Sequence, residues 1–190
     1  MNAKHEIETL IRAKYPIVYV QSWEEGRVQR AVEEVAEKLG RSLHTWSVTQ
    51  GMRPEVNRTS GPASPSTLPG ELEALARIHE APEFTVFLLK DFHPYMKDNR
   101  VIRLMRDLAV RLRGRAQTII LISPNLNLPV ELEKDVTVLE FPLPNADDIE
   151  KQIDNLIEAV KDNPKVDVNL DADTRENLVR SAQGLTMDEI

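Results

Sequence analysis

The stretch Thr85–Phe92 constrains the fold of this chain more than any other part of the sequence. Five mostly apolar, β-prone residues and a lysine precede one acidic residue, Asp91, with Pro82 before the stretch and Pro94 after it. A short apolar run without polar alternation is typical of a strand buried on both faces, as in a parallel sheet covered by helices. Because α/β folds bind ligands at the carboxyl ends of such strands, Asp91 is a candidate site residue.

Composition and charge indicate a globular protein about the size of one domain, or of one domain with a small appendage. The 190 residues are 41% hydrophobic and 29% charged, which is enough apolar material for a core. The net charge of −7 argues against nucleic acid or a membrane as partner, since both usually need a basic surface. Cysteine is absent, which excludes disulfides and thiolate metal sites. With no signal peptide or membrane-spanning run, we expect a cytoplasmic protein.

Apolar periodicity predicts that strands and helices alternate over residues 15–141. Between the strands lie segments with helical spacing, so successive strands should be parallel. The expected fold class is therefore α/β, with a doubly wound, mainly parallel five-stranded sheet. Residues 50–70 are rich in glycine, proline and serine and are predicted to form a flexible loop. The five predicted strands are 17–20, 43–48, 85–89, 117–122 and 136–141.

The last part of the chain is predicted to be a helical appendage. Pro142–Pro144 ends the sheet, and Asn145 can cap a helix that runs through Val160. A further helix follows and ends at Gly184. The expected domains are therefore 1–144 and 145–190. Thr186–Glu189 is a capping box with no helix behind it, so we expect the second domain to be cut from a longer protein.

The predicted helix 99–113 concentrates positive charge on its outer face, in a chain that is acidic overall. A solvated helix face is one interpretation. A contact surface for an acidic neighbour, either a second subunit or another domain, is the other. Nucleic acid is disfavoured because no aromatic residues interleave the basic ones. The partner-interface candidates are Arg100, Arg103, Arg106 and Arg111.

Taken in order, these elements resemble an AAA+ ATPase module. Leu88–Phe92 matches the Walker B position, and Ile120–Asn125 matches the strand that ends at the polar sensor-1 position. Phe141–Pro144 matches the exit into the helical lid, and Ala182–Ile190 matches a turn between lid helices. The resemblance implies an AAA+ or P-loop-like sheet followed by a small lid-like subdomain.

One branch of this family is more similar still. Tyr15–Val20, Leu89–His93, Ser123–Pro129 and Leu139–Pro144 resemble the uncharacterised AAA-family ATPases encoded by a conserved plastid reading frame, together with their bacterial relatives. In those proteins a region like this one precedes a complete AAA+ module. The resemblance implies ATP and Mg²⁺ as cofactors of the parent protein, and self-association as a ring-type homo-oligomer.

The departures from the family pattern fall at the phosphate-binding positions. A P-loop needs Gly-x-x-x-x-Gly-Lys-Ser/Thr, whose backbone amides surround the phosphates. Gln21–Arg27 stands in that place with one glycine, no lysine and two carboxylates, which would repel phosphate. Asp91 is followed by Phe92, where an active module places a glutamate. We therefore expect Asp91 and the sensor-1-like Asn125 to be vestigial, with no catalytic, cofactor or metal site in this segment.

The function predicted from the sequence is a catalytically degenerate N-terminal AAA+-like module of a larger ATPase. Such a module would serve oligomerisation, or partner or substrate engagement, for an ATP-hydrolysing module that follows. A self-standing adaptor domain that binds another protein is one alternative. A divergent nucleotide-binding domain is the other.

Overall fold

A computed structural model describes residues 3–54, 70–161 and 170–190. Most of the predicted flexible loop, residues 55–69, lies outside the described residues. The chain divides into two compact units, Met1–Phe141 and Pro142–Ile190.

The first unit alternates helices and strands, as its apolar periodicity predicts. Its helices are α1 (Ala3–Arg12), α2 (Glu25–Lys38), α3 (Gly70–Glu80) and α4 (Asn99–Leu112). Two short 3₁₀ turns, His93–Lys97 and Val130–Leu132, complete the connections. The strands are β1 (Ile17–Gln21), β2 (Ser42–Ser47), β3 (Gly51–Pro54), β4 (Thr85–Lys90), β5 (Thr118–Ser123) and β6 (Val136–Glu140).

The six strands form one sheet in the order β3-β2-β4-β5-β1-β6. Five of them are parallel, and β3 alone runs antiparallel, against β2. The predicted α/β class with a mainly parallel sheet is confirmed, but the predicted count of five strands is wrong. The strand that was not predicted is β3. It begins at Gly51, whose φ of 66° turns the chain back so that Met52 pairs with Trp46. Glycine adopts such a conformation at no steric cost, because it has no Cβ.

Two apolar layers cover the sheet, one on each face. Val18, Val20 and their neighbours pack with α1 and α2 on one face. Tyr19, Phe87 and Leu89 pack with α3 and α4 on the other. Because side chains alternate along a strand, the central strands are buried on both sides and contribute to both layers.

The described residues of the second unit include two helices, α5 (Ala146–Val160) and α6 (Ala172–Ala182). Its core consists of Ile149, Ile153 and Val179. An apolar groove of about 410 Å³ runs between the two helices. The assignment of this unit as a lid-like subdomain stays a prediction. In the described part of the chain, none of the helices combines the length and the hydrophobicity needed to cross a bilayer.

Candidate functional site

The candidate site lies at the carboxyl edge of the sheet, where the neighbouring strands β1 and β5 end. The chain leaves β1 into α2 on one face of the sheet. It leaves β5 towards Leu132, which packs on the opposite face. In open α/β sheets ligands bind where adjacent strands diverge in this way. The residues that follow β1, β4 and β5 therefore form the candidate site.

Hydrogen bonds of Ser22 stabilise the turn between β1 and α2. The Ser22 hydroxyl donates to the carbonyl of Phe141 at 3.1 Å and accepts the backbone N–H of Glu24 at 3.0 Å. The backbone N–H of Ser22 donates to the carbonyl of Ser123 at 3.1 Å. A phosphate-binding loop leaves such amides available to the ligand. Here the amides of Ser22 and Glu24 already have acceptors within the chain.

Glu24 places a carboxylate at the start of α2, and the residue is only 4% exposed. Its Oε1 lies 3.7 Å from Nη1 of Arg27, one turn into the helix. The guanidinium of Arg27 in turn lies 5.3 Å from the centre of the Phe141 ring. A helix N-terminus favours an anion. Glu24 brings a carboxylate to this N-terminus, although its side chain makes no capping hydrogen bond with the helix.

The end of β4 carries a second ion pair. The candidate site residue Asp91 follows it. Nζ of Lys90 lies 3.0 Å from Oε1 of Glu25, which joins β4 to the first turn of α2. Asp91 is exposed and has a φ of 48°, a left-handed conformation that aspartate tolerates better than most residues. Phe92 is fully buried in the core. The lysine nearest this edge is therefore paired with a carboxylate.

A hydrogen-bond network joins the ends of β1, β4 and β5. The Ser123 hydroxyl lies 2.8 Å from Nδ1 of His93 and accepts the backbone N–H of Asn125 at 3.2 Å. The Tyr19 hydroxyl donates to the carbonyl of Asn125 at 2.5 Å. Burial raises the pKa of Tyr19, so its hydroxyl stays protonated and keeps donating. The network fixes the loop after β5.

Both sequence-predicted edge residues, Asp91 and Asn125, lie at this edge, and both are exposed. Asn125 uses its backbone in the network, and its side chain makes no hydrogen bond within the described ranges. The sequence pointed to neither the Ser123–His93 contact nor the Glu25–Lys90 pair. No group of three or more His, Asp or Glu residues that could hold a metal occurs among the described residues. The vestigial role of Asp91 and Asn125 stays a prediction.

The arginine face is the outer surface of α4 that carries Arg100, Arg103, Arg106 and Arg111. Arg100 pairs with Asp98, and Arg103 pairs with Asp107. Arg106 is exposed and has no ion pair within the parts of the chain that the structure describes. Arg111 is half-buried, and its Nε has no hydrogen-bond partner there. All four predicted interface residues therefore lie on one helix, but two of them are balanced by local carboxylates.

Comparison with known protein families gives two matches that together cover most of the chain. Residues 3–141 match the N-terminal domain of SpoVK-like AAA ATPases. Residues 147–190 match the second domain of the same group.

Curated relatives include the "Uncharacterized AAA domain-containing protein ycf46" of Guillardia theta and of Trieres chinensis. They are 31% and 30% identical to this chain over its whole length. The chain covers 36% and 37% of those two proteins, so it spans little more than a third of their length. In both, it corresponds to a region of a larger protein.

Solved structures with a similar fold include two AAA proteins. The first is the FIGL-1 AAA domain in complex with ADP, with a TM-score of 0.65 and 12% identity. The second is a structure described as the structural basis for katanin self-assembly, with a TM-score of 0.60 and 13% identity. The matches cover 98% and 97% of this chain and 61% and 64% of those chains. At such low identity they show the fold alone.

The predicted resemblance to the plastid-frame AAA proteins and their relatives is confirmed by these matches. The family match extends over the whole described sheet and both of its helical layers. The chain belongs to the SpoVK-like AAA ATPase family.

Proposed function

We propose that this chain is a degenerate AAA module that does not bind ATP, and that it serves assembly or partner engagement for an ATP-hydrolysing module of its parent protein. The observation that carries the proposal is Glu24, a buried carboxylate at the helix N-terminus where a P-loop protein binds phosphate. ATP and Mg²⁺ are then cofactors of the parent protein and not of this segment.

Electrostatics make the α2 N-terminus a poor phosphate site. Two like unit charges about 4 Å apart repel by roughly 4 kcal/mol at an effective dielectric constant of about 20. That energy corresponds to about a thousandfold loss of affinity. Arg27 lies 3.7 Å from Glu24 and offsets part of this repulsion, but it is already engaged by that carboxylate and by the Phe141 ring.

The residues of β4 support the same conclusion. A P-loop lysine binds the terminal phosphates, and in this chain the lysine at the site edge, Lys90, is paired with Glu25. Asp91 could still face a magnesium ion, but the next residue is the buried Phe92, so no carboxylate orients water there. The site edge therefore offers neither an unpaired lysine for binding phosphate nor a carboxylate after Asp91 for activating water.

The arginine face supports the role in assembly or partner engagement. Val110, 66% exposed, lies on α4 one turn from Arg106, so the face combines an apolar side chain with unbalanced positive charge. Interfaces are enriched in arginine and combine an apolar centre with a charged rim. The face therefore has the composition of a protein-binding surface.

Isothermal titration calorimetry of the 190-residue chain with MgATP tests the proposal. We expect no saturable heat up to about 1 mM MgATP, which corresponds to a binding free energy weaker than about −4 kcal/mol. The Asp91→Ala variant should give the same trace as the unmodified chain. Saturable micromolar binding that Asp91→Ala weakens would overturn the proposal in favour of a divergent nucleotide-binding domain.

A further inference from the structure

The amino edge of the sheet, at the end opposite to the candidate site, is basic in a chain that is acidic overall. The amino edge consists of the five segments that lead into the parallel strands, residues 13–16, 39–41, 81–84, 113–117 and 133–135. These segments contain five basic residues against three acidic ones, whereas the whole chain has a net charge of −7. A surface of this sign attracts acidic partners.

Three cations of the amino edge have no carboxylate partner within the described residues. Lys14 is exposed and Arg115 is half-buried, and neither forms an ion pair there. One terminal nitrogen of Arg41 donates to a backbone carbonyl of α1 at 3.1 Å, and the other has no acceptor in the described ranges. Arg113, in contrast, is paired with Asp135. The unbalanced positive charge therefore lies before β1, β2 and β5.

Two aromatic side chains are exposed among these cations. Phe84, directly before β4, is 58% exposed, and Tyr15, before β1, is 42% exposed. Only β5 lies between β4 and β1 in the sheet, so the backbones of the two residues are about two strand spacings, or roughly 10 Å, apart. Aromatic residues and arginine are the residues in which protein interfaces are enriched. The amino edge combines both.

The backbone conformation of Phe84 is unfavourable for the chain itself. Its φ is 63°, in the left-handed region that a bulky residue rarely adopts. The turn before it is fixed by Gln117, whose Nε2 donates to the carbonyls of Ala81 and Pro82 at 3.0 and 2.8 Å. Residues held in such conformations cluster at functional sites. Because the turn is already fixed, a partner would meet Phe84 in place and would not have to order it.

We propose that the amino edge binds an acidic segment of a partner protein that carries two apolar anchor residues. The anchors contact Phe84 and Tyr15. The acidic residues of the segment lie near Lys14, Arg41 and Arg115. Charge complementarity argues for this occupant, and the small excess of positive charge is less than a nucleic-acid surface usually has. The inference rests on the proposed role in partner engagement and names the chemistry of the partner.

Fluorescence anisotropy of the 190-residue chain at low salt tests the proposal. The probe is a fluorescein-labelled peptide, mostly glutamate, with two phenylalanines about three positions apart, the number that spans roughly 10 Å in an extended chain. We expect saturable binding with a Kd of about 0.1 mM or tighter. A peptide with lysine in place of each glutamate should not bind. About 0.5 M salt should weaken binding of the acidic peptide, since exposed charges are then screened.

Two variants remove the two components of the amino edge separately. The double variant Lys14→Glu, Arg115→Glu reverses its charge and should bind the acidic peptide at least about tenfold more weakly. Phe84→Asn removes one ring and should weaken binding at least about fivefold. Asparagine tolerates the left-handed conformation, so this variant keeps the backbone of the turn. Circular dichroism verifies that each variant is folded.

Matched controls make the same kinds of change away from the amino edge. The double variant Arg30→Glu, Lys97→Glu alters the net charge equally, at exposed positions in the first half of α2 and in the turn after β4. Val48→Asn removes an apolar side chain that is 68% exposed and follows β2 at the other end of the strand. Both controls should bind the peptide like the unmodified chain.

Three results would overturn the inference. The first is no saturable binding of the acidic peptide at chain concentrations up to about 1 mM. The second is binding that keeps its strength in both amino-edge variants. The third is a single-stranded oligothymidylate of about twelve nucleotides that binds more tightly than the peptide, which would assign the edge to nucleic acid. None of these results bears on the titration with MgATP, so failure of this inference is distinguishable from failure of the proposed function.

Discussion

Glu24 is a charged side chain in a place almost closed to water, and its surroundings explain why the charge is tolerated. The N-terminus of α2 contributes a partial positive charge, and Arg27 contributes a full one at 3.7 Å. A buried carboxylate without such compensation would be costly. The same compensation makes the position unsuited to a second anion, which links one residue to the proposed loss of nucleotide binding.

His44 provides a residue-scale prediction about pH. It lies on β2 with its ring 5.7 Å from that of Phe87, and burial lowers its pKa below the ordinary value of 6.5. The unfolded chain therefore binds a proton more readily than the folded one, and stability rises with pH in this range. We expect the free energy of unfolding, measured by urea titration, to fall as the pH is lowered from about 7.5 to about 5.5.

The variants His44→Gln and His79→Gln separate this effect from other histidines. His79 is exposed on α3, so His79→Gln should keep the pH dependence of the unmodified chain. His44→Gln should flatten it. An unchanged slope in His44→Gln would contradict the assignment.

At the scale of the element, the helix α4 that carries the arginine face is stabilised by its N-cap. Asp98 is the N-cap, and one of its carboxylate oxygens accepts the backbone N–H of Arg100 at 2.8 Å. Hydrogen bonds from the Arg100 guanidinium and, to a lesser degree, from the Arg100 backbone N–H lower the pKa of Asp98, so the cap stays ionised at neutral pH. Capping satisfies an amide that the helix itself cannot satisfy.

Asp98→Ala should therefore lower the free energy of unfolding by about 1 kcal/mol, measured in urea at pH 7. Asp107→Ala is the matched control, because it removes an exposed carboxylate and its pair with Arg103 on the same helix without touching the cap. The control should change stability by less than about 0.5 kcal/mol. Equal effects of the two substitutions would show that the cap contributes nothing beyond its ion pair.

Strands that contain an apolar run of their own could be predicted from the sequence. Strand β3 has no such run and was not predicted. Strands β1, β4 and β5 are short, mostly apolar runs, so their own residues predict them. The four residues of β3 include Arg53 and Pro54, and they form a strand through pairing with β2, as Met52 does with Trp46. The residues of one segment do not by themselves show which other segment it pairs with.

At the scale of the whole unit, part of the candidate site could be predicted from the sequence and part of it depends on the order of the strands. The position of Asp91 at the sheet edge follows from a buried strand that ends before it. The Ser123–His93 contact joins residues 30 positions apart and depends on β4 and β5 being neighbours. The strand order also brings Trp23, Asp91 and Glu140 to one edge. Such combinations become visible only once the sheet is assembled.

Nuclear magnetic resonance tests most directly the claim that this AAA module has lost its phosphate site. The backbone amides of Ser22, Trp23 and Glu24 in ¹⁵N-labelled chain report the α2 N-terminus, and MgCl₂ alone is the control for added magnesium. On titration with MgATP we predict that these amides do not shift beyond the control. Saturable shifts confined to these three amides, with micromolar affinity, would contradict the account.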